Sequence, residues 1–169
     1  AITLDATSVA STGTDQHTAA NDVAVGESIS LAAAVTLREG STPLHVSVDL
    51  TTAGTFVECD SATVETQGGQ VTATGVATTT GGTCEIDFST ALNAPDNTGD
   101  TDDELDVLIT LIVRDEVAVT DGAAFSLTTT IDYSEGTASA TFDFEIVEPV
   151  LTFAFTSSLA AGDAGDTST

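Results

Sequence analysis

The chain has 169 residues, with 27 carboxylates and two cations, Arg38 and Arg114, so its formal net charge is −25. This charge argues against binding to nucleic acids or anionic lipids, because their phosphates are neutralised by cationic side chains. It also predicts a halophilic protein that is stable in brine, where salt cations screen the repulsion between surface carboxylates. A moderately acidic secreted protein is the alternative interpretation.

The length and the 41% share of apolar residues fit one folded domain with a hydrophobic core. No run of about 20 apolar residues occurs, so no insertion into a membrane is expected.

Apolar and polar residues alternate with a period of two, which predicts about nine short strands. In chain order these are residues 2–8, 29–37, 46–50, 56–64, 71–76, 84–88, 105–113, 125–133 and 140–146. The run 105–113 is apolar on both faces, which is typical of a central strand. Turn signals separate the strands, among them residues 39–43 and Asp121-Gly122. The pattern predicts an all-β fold, an antiparallel, immunoglobulin-like β-sandwich, over residues 1–149.

The C-terminal region repeats the opening of the chain. Leu151–Ser157 has the order of apolar and hydroxyl residues found in Ile2–Ser8. We therefore predict that residues 150–169 form a terminal strand and an acidic tail. This region is either the start of a next repeat in a tandem array or a donor strand that a neighbouring subunit accepts. The subunit-linking strand would present three apolar residues on one side, Leu151, Phe153 and Phe155.

The order of several segments resembles a known class of surface proteins. The segments are Gln16–Glu27, Thr36–Pro43, residues 53–57 with 61–64, Thr130–Tyr133, Ala138–Thr141 and Val147–Thr152. Together they resemble the DUF11-like conserved repeat modules, which are grouped with isopeptide-forming modules of large extracellular proteins. The resemblance implies an immunoglobulin-like repeat of a long cell-surface protein. Two positions depart from the class: Arg38 stands where the class usually has Pro, and the Pro expected before Ala53 is missing. The chain contains no Lys, which excludes a Lys–Asn isopeptide bond.

Cys59 and Cys84 are the two cysteines, and both lie beside predicted strands. An even cysteine count in an extracellular setting predicts a disulfide between them. Two buried free thiols are the alternative.

The loop 93–104 is rich in carboxylates and amides, which supply the oxygen ligands that Ca²⁺ prefers. Asp96, Asp100, Asp102 and Asp103 are the candidate ligands, although their spacing does not match an EF-hand loop. A solvated acidic surface is the alternative. No other cofactor is predicted.

Catalytic motifs do not stand out. The histidines are His17 and His45, and no Gly-x-Ser-x-Gly motif accompanies them. Tyr133 is the lone tyrosine and Trp is absent, which leaves few aromatic platforms for stacking sugars. We therefore predict that the protein is not an enzyme.

The sequence predicts a non-catalytic structural subunit or repeat of a pilus-like extracellular filament or cell-surface protein, joined end to end through its terminal strand. Its partners would be copies of itself or neighbouring repeats. The alternative is a calcium-dependent adhesin or binding module.

Overall fold

The structure is a computed structural model that describes residues 2–9, 19, 21–80, 82–96, 98–99, 101–116 and 119–148, with only the backbone of residues 2–9 and 80. Its described strands are β1 (Ile2–Val9), β2 (Asp22–Val23), β3 (Ser28–Thr36), β4 (Gly40–Asp49), β5 (Val57–Gln67), β6 (Val71–Ala73), β7 (Val76–Thr80), β8 (Thr83–Asn93), β9 (Glu104–Val113), β10 (Ala124–Tyr133) and β11 (Gly136–Ile146). One turn of 3-10 helix, Thr101–Asp103, precedes β9. None of the described residues forms a helix long and apolar enough to cross a bilayer.

The strands form two sheets that pack as a sandwich. The smaller sheet has the order β1-β3-β9-β5, and the larger sheet has the order β2-β11-β10-β4-β8-β6, with β7 also paired to β8. The described pairs are antiparallel, except that β2 runs parallel to the end of β11. The predicted antiparallel sandwich is therefore confirmed.

Burial follows the alternation that the sequence displays. In β9, every second residue from Leu105 to Val113 is buried, and β9 lies between β3 and β5, which confirms the predicted central strand. The alternate residues of β9 are half-buried. Each large apolar side chain that the core buries stabilises the fold by about 1.5–3 kcal/mol.

The predicted turn at residues 39–43 is shorter than expected: Glu39 lies in a bend and Gly40 has a φ of 111°, but β4 already begins at Gly40. The strand tolerates Pro43, which lacks a backbone N–H, for two reasons. The register between β4 and β8 shifts between Thr42 and Leu44, and β4 pairs with β10 only from Leu44 onward.

The predicted strand 71–76 is divided in two. β6 and β7 are separated at Gly75, where a Cβ atom would lie 2.5 Å from Ile86 Cγ1 and 2.7 Å from Phe88 Cε1. Glycine therefore lets the edge of the sheet approach the core closely, and the strand bends there.

Candidate functional site

The first described strand begins, and the last described strand finishes, at opposite ends of the sandwich. We call the end that holds Ile2 the proximal pole, because Ile2 pairs with Val35 near the end of β3. We call the other end the distal pole, where β3 begins and β11 finishes at Ile146. The nine residues of β3 place the poles about 30 Å apart at 3.3 Å per residue. At the distal pole, Val147 N donates to Val23 O as the chain leaves the larger sheet.

β11 has one edge that the described strands leave mostly unpaired. β11 pairs with β10 along its length, whereas β2 covers only Glu145 and Ile146 on the other side. We call the remaining edge, Gly136–Phe142, the β11 lane. It contains no charged residue.

The β11 lane has a core-facing side that is not fully covered. Ala138, Ala140 and Phe142 lie opposite Ile131, Thr129 and Leu127, which are at most 1% exposed. Because opposite residues of an antiparallel pair share a face, these lane residues point toward the core. All three are nevertheless only half-buried. The core-facing side of the lane is therefore incompletely covered, and two of its three side chains there are small alanines.

A cavity of about 380 Å³ lies at the proximal pole, at the start of the β11 lane. Its apolar lining includes Val35, Leu37, Leu44 and Ala138. Arg38 and Glu135 also line it, and Arg38 Nη1 donates to Glu135 Oε1 at 2.6 Å. The two arginines lie at opposite poles, since Arg114 follows β9 at the distal pole and donates to Gly54 O at 2.9 Å.

Cys59 and Cys84 form a disulfide, with 5.5 Å between their Cα atoms. Cys59 belongs to β5 in the smaller sheet, and Cys84 belongs to β8 in the larger sheet. The bond therefore crosslinks the two layers of the sandwich.

The candidate calcium ligands are in different environments. Asp103 is 3% exposed and accepts a hydrogen bond from Asn93 Nδ2 at 2.9 Å, whereas Asp96 is half-buried and Asp102 is exposed. The backbone N–H of Thr98 donates to Asp96 and lowers the pKa of that carboxyl. Asp100 lies outside the described residues. Within the described part of the chain, no group of three or more His, Cys, Asp or Glu side chains is arranged to hold a metal. Calcium binding by all four residues stays a prediction.

His45 lies in a polar cluster on the outer face of the larger sheet. Its Nε2 is 3.1 Å from Glu85 Oε2, and its Nδ1 is 3.8 Å from Asp132 Oδ2. The hydrogen bond from Thr78 Oγ1 lowers the pKa of the Glu85 carboxyl most, and the bond to His45 lowers it further. The lowered pKa means that ionised Glu85 favours the folded state, a contribution that is lost as the pH falls through that pKa. The cluster links β10, β4 and β8. His17 lies outside the described residues.

The predicted linking residues Leu151, Phe153 and Phe155 also lie outside the described residues. The division of the chain at residue 149 therefore stays a prediction. The β11 lane and the cavity at the proximal pole were not predicted, because both depend on strand order. The uncharged run 136–142 was the one signal in the sequence for the lane.

No protein-family model matches the chain, and no curated protein sequence matches it significantly. Solved structures do share its fold. The structure named BspA_C_WT has a TM-score of 0.52 and 10% identity, covering 85% of this chain and 50% of that one. The N-terminal domain of the Streptococcus gordonii adhesin Sgo0707 has a TM-score of 0.49 and 11% identity, covering 86% of this chain and 32% of that one. A form of BcpA, the major pilin subunit of Bacillus cereus, has a TM-score of 0.49 and 9% identity, covering 88% of this chain and 40% of that one.

At these identities the likeness to BspA_C_WT establishes the sandwich fold alone. This chain spans between about one third and one half of the length of the three structures. The membership in the DUF11-like class stays a prediction.

Proposed function

We propose that this chain is a non-catalytic structural module of an extracellular filament or cell-surface protein, joined end to end to its neighbours through the terminal strand. The observation that carries the proposal is the position of Ile2 and Val147 at opposite poles. A module whose chain enters at one pole and leaves at the other adds its full length to a linear array. Copies of the same module, or neighbouring repeats, would be its partners.

Two forms of the joint are compatible with this chain path. In a tandem array, Leu151–Ser157 would be the first strand of the next module, corresponding to β1 of this one. In a filament, the same segment would leave its own subunit and add to a sheet of a neighbouring subunit. Either joint would cover the three large apolar side chains, which would favour aggregation if they stayed exposed.

Deletion of residues 150–169 tests the proposal. We expect the shortened protein to keep its sandwich, because the core described above is built from residues 23–147. We also expect end-to-end association to disappear. Sedimentation velocity and electron microscopy of the full chain and the deletion variant, in the same molar salt, would measure the association.

A full-length variant controls for the removal of residues 150–169 from the chain. Replacing Leu151, Phe153 and Phe155 by serine keeps the segment but removes its apolar side chains, and association should be lost as well. Replacing Thr152 and Thr156 by serine should leave association intact. Filaments that persist after the deletion would contradict joining through this segment.

A calcium-dependent adhesin or binding module is the second candidate. The favouring observation is the buried Asn93 Oδ1, which has no hydrogen-bond partner among the described residues and belongs to the side chain that donates to Asp103. Amide oxygens are suitable calcium ligands. This candidate predicts that millimolar Ca²⁺ raises the melting temperature, whereas the same concentration of Mg²⁺ does not.

Charge substitutions in the loop, and matched substitutions on β5 as the control, test the position of the calcium site. Replacing Asp96, Asp100 and Asp102 by asparagine should abolish the calcium effect, whereas replacing Glu58, Asp60 and Glu65 on β5 by the corresponding amides should not. Isothermal titration that detects no calcium binding to the parent protein would reject this candidate.

A further inference from the structure

We propose that the β11 lane is the acceptor site for the segment Leu151–Ser157 of a neighbouring copy. This inference rests on the proposed end-to-end function and adds the receiving surface. The incoming segment would add a strand to the larger sheet, with its backbone hydrogen-bonded to the edge of β11 that no described strand pairs. Its large apolar side chains would cover the half-buried face around Ala138 and Ala140.

The other sheet edges are poorer acceptors. β3 is paired with β1 over eight residues, so that edge of β3 is already occupied. No described strand pairs with the outer edges of β1 and β5, but both strands carry carboxylates, which protect an edge against pairing: Asp5 on β1 and Glu58, Asp60 and Glu65 on β5. The β6–β7 edge is divided at Gly75 into strands of three and five residues.

Charge also favours the β11 lane. With a net charge of −25, two copies repel each other wherever carboxylates face carboxylates. Both the lane, Gly136–Phe142, and the segment Leu151–Ser157 lack charged residues. The contact between them therefore places no like charges directly opposite each other.

Length and side-chain size match as well. The lane and the segment each have seven residues, and β2 closes the lane beyond Phe142 by pairing with Glu145 and Ile146. Full overlap places Phe153 beside Ala138 and Phe155 beside Ala140. Large apolar side chains would then fill the space above small ones, which is how packed layers interdigitate.

The direction of the incoming strand agrees with end-to-end joining. A segment that leaves the distal pole of one copy reaches the proximal pole of the next copy first. From there it runs toward the distal pole, parallel to β11, as β2 already does at the closed end of the lane. The cavity of about 380 Å³ at the proximal pole lies where such a segment would enter.

Disulfide crosslinking between two separately purified variants tests the site. Full overlap places Ala154 beside Ser139, on the outer face of the sheet, at the strand spacing of about 4.8 Å that a disulfide can span. Ser139→Cys and Ala154→Cys proteins, mixed and mildly oxidised in molar salt, should form a mixed dimer identified by mass. The matched control replaces Ser139→Cys by Thr63→Cys, which is also exposed on an edge strand, and should give at least about tenfold less mixed dimer.

A second pair of variants measures the association itself. Ala140→Glu places a charge on the core-facing side of the lane, whereas Thr141→Glu places it on the exposed outer side. We expect Ala140→Glu to weaken association by about 30-fold or more, because it would bury an unpaired charge in the joint, and Thr141→Glu to have a much smaller effect. Circular dichroism would verify that both variants are folded.

The outcomes separate this inference from the proposed function. Association that requires Leu151–Ser157 but gives no Ser139–Ala154 crosslink would overturn the lane and leave end-to-end joining intact. A crosslink that forms within a single double variant, but never between separate copies, would overturn both, because the segment would then complete its own sheet. Absence of any association in the full chain would overturn the proposed function itself.

Discussion

Replacing both Cys59 and Cys84 by alanine is expected to lower the free energy of unfolding by about 3–4 kcal/mol, the value for a closed loop of about 25 residues. The disulfide restricts the unfolded chain by holding β5 and β8 together. Alanine avoids burying a serine hydroxyl at position 84, where the side chain is fully buried. Urea unfolding of both proteins in the same molar salt would measure the difference.

Reduction provides the control for the missing sulfur atoms. The parent protein should become as unstable as the double alanine variant when a reductant is added, whereas the variant should be insensitive to it. Mass spectrometry of the parent should identify a peptide pair linked through Cys59 and Cys84. Titration of two free thiols in the native parent would contradict the disulfide.

The second large expected effect is a loss of stability at low salt concentration. Lowering NaCl from about 1 M to about 0.1 M lengthens the Debye length from about 3 Å to about 10 Å. Surface carboxylates within about 10 Å of each other then repel one another more strongly. We expect the free energy of unfolding to fall by about 3 kcal/mol, which corresponds to a fall of roughly 6–12 °C in Tm. Differential scanning calorimetry across a series of salt concentrations would measure it.

Two controls separate screening from other effects of salt. KCl should protect as well as NaCl, whereas sucrose at matched osmolality should not reproduce the salt series. Replacing Glu58, Asp60 and Glu65 by their amides removes three charges from the exposed edge of β5 and should flatten the dependence on salt. A melting temperature that is the same in dilute and molar salt would refute the halophilic interpretation.

Much of the fold could be predicted because each long strand carries its own period-two pattern. The run 105–113 predicted a central strand, and β9 lies between two neighbours with every second side chain buried. β2 could not be predicted, because two residues are too few to display a period. The segment Gly40–Pro43 carries turn signals but belongs to β4, because whether a strand tolerates proline depends on where its neighbours end, which local sequence does not encode.

The candidate site was less accessible to sequence reasoning. The terminal strand is predicted from a comparison within the chain, because Leu151–Ser157 resembles Ile2–Ser8. Its proposed acceptor depends on which strand lies at a sheet edge, and that follows from tertiary packing. Ala138 and Ala140 occupy an alternating pattern that would equally suit a covered strand.

The strand directions have a mechanical consequence. Force applied along the long axis would pull β1 and β11 nearly parallel to their own lengths, loading the eight residue pairs between β1 and β3 together, in shear. Pairs loaded in this way resist rupture better than pairs that open one at a time. The Cys59–Cys84 disulfide encloses about 25 residues, roughly 85 Å of extended chain. It would prevent this loop from extending after the sandwich unfolds under force. The module would thus act as a stiff tether with a limited stretch.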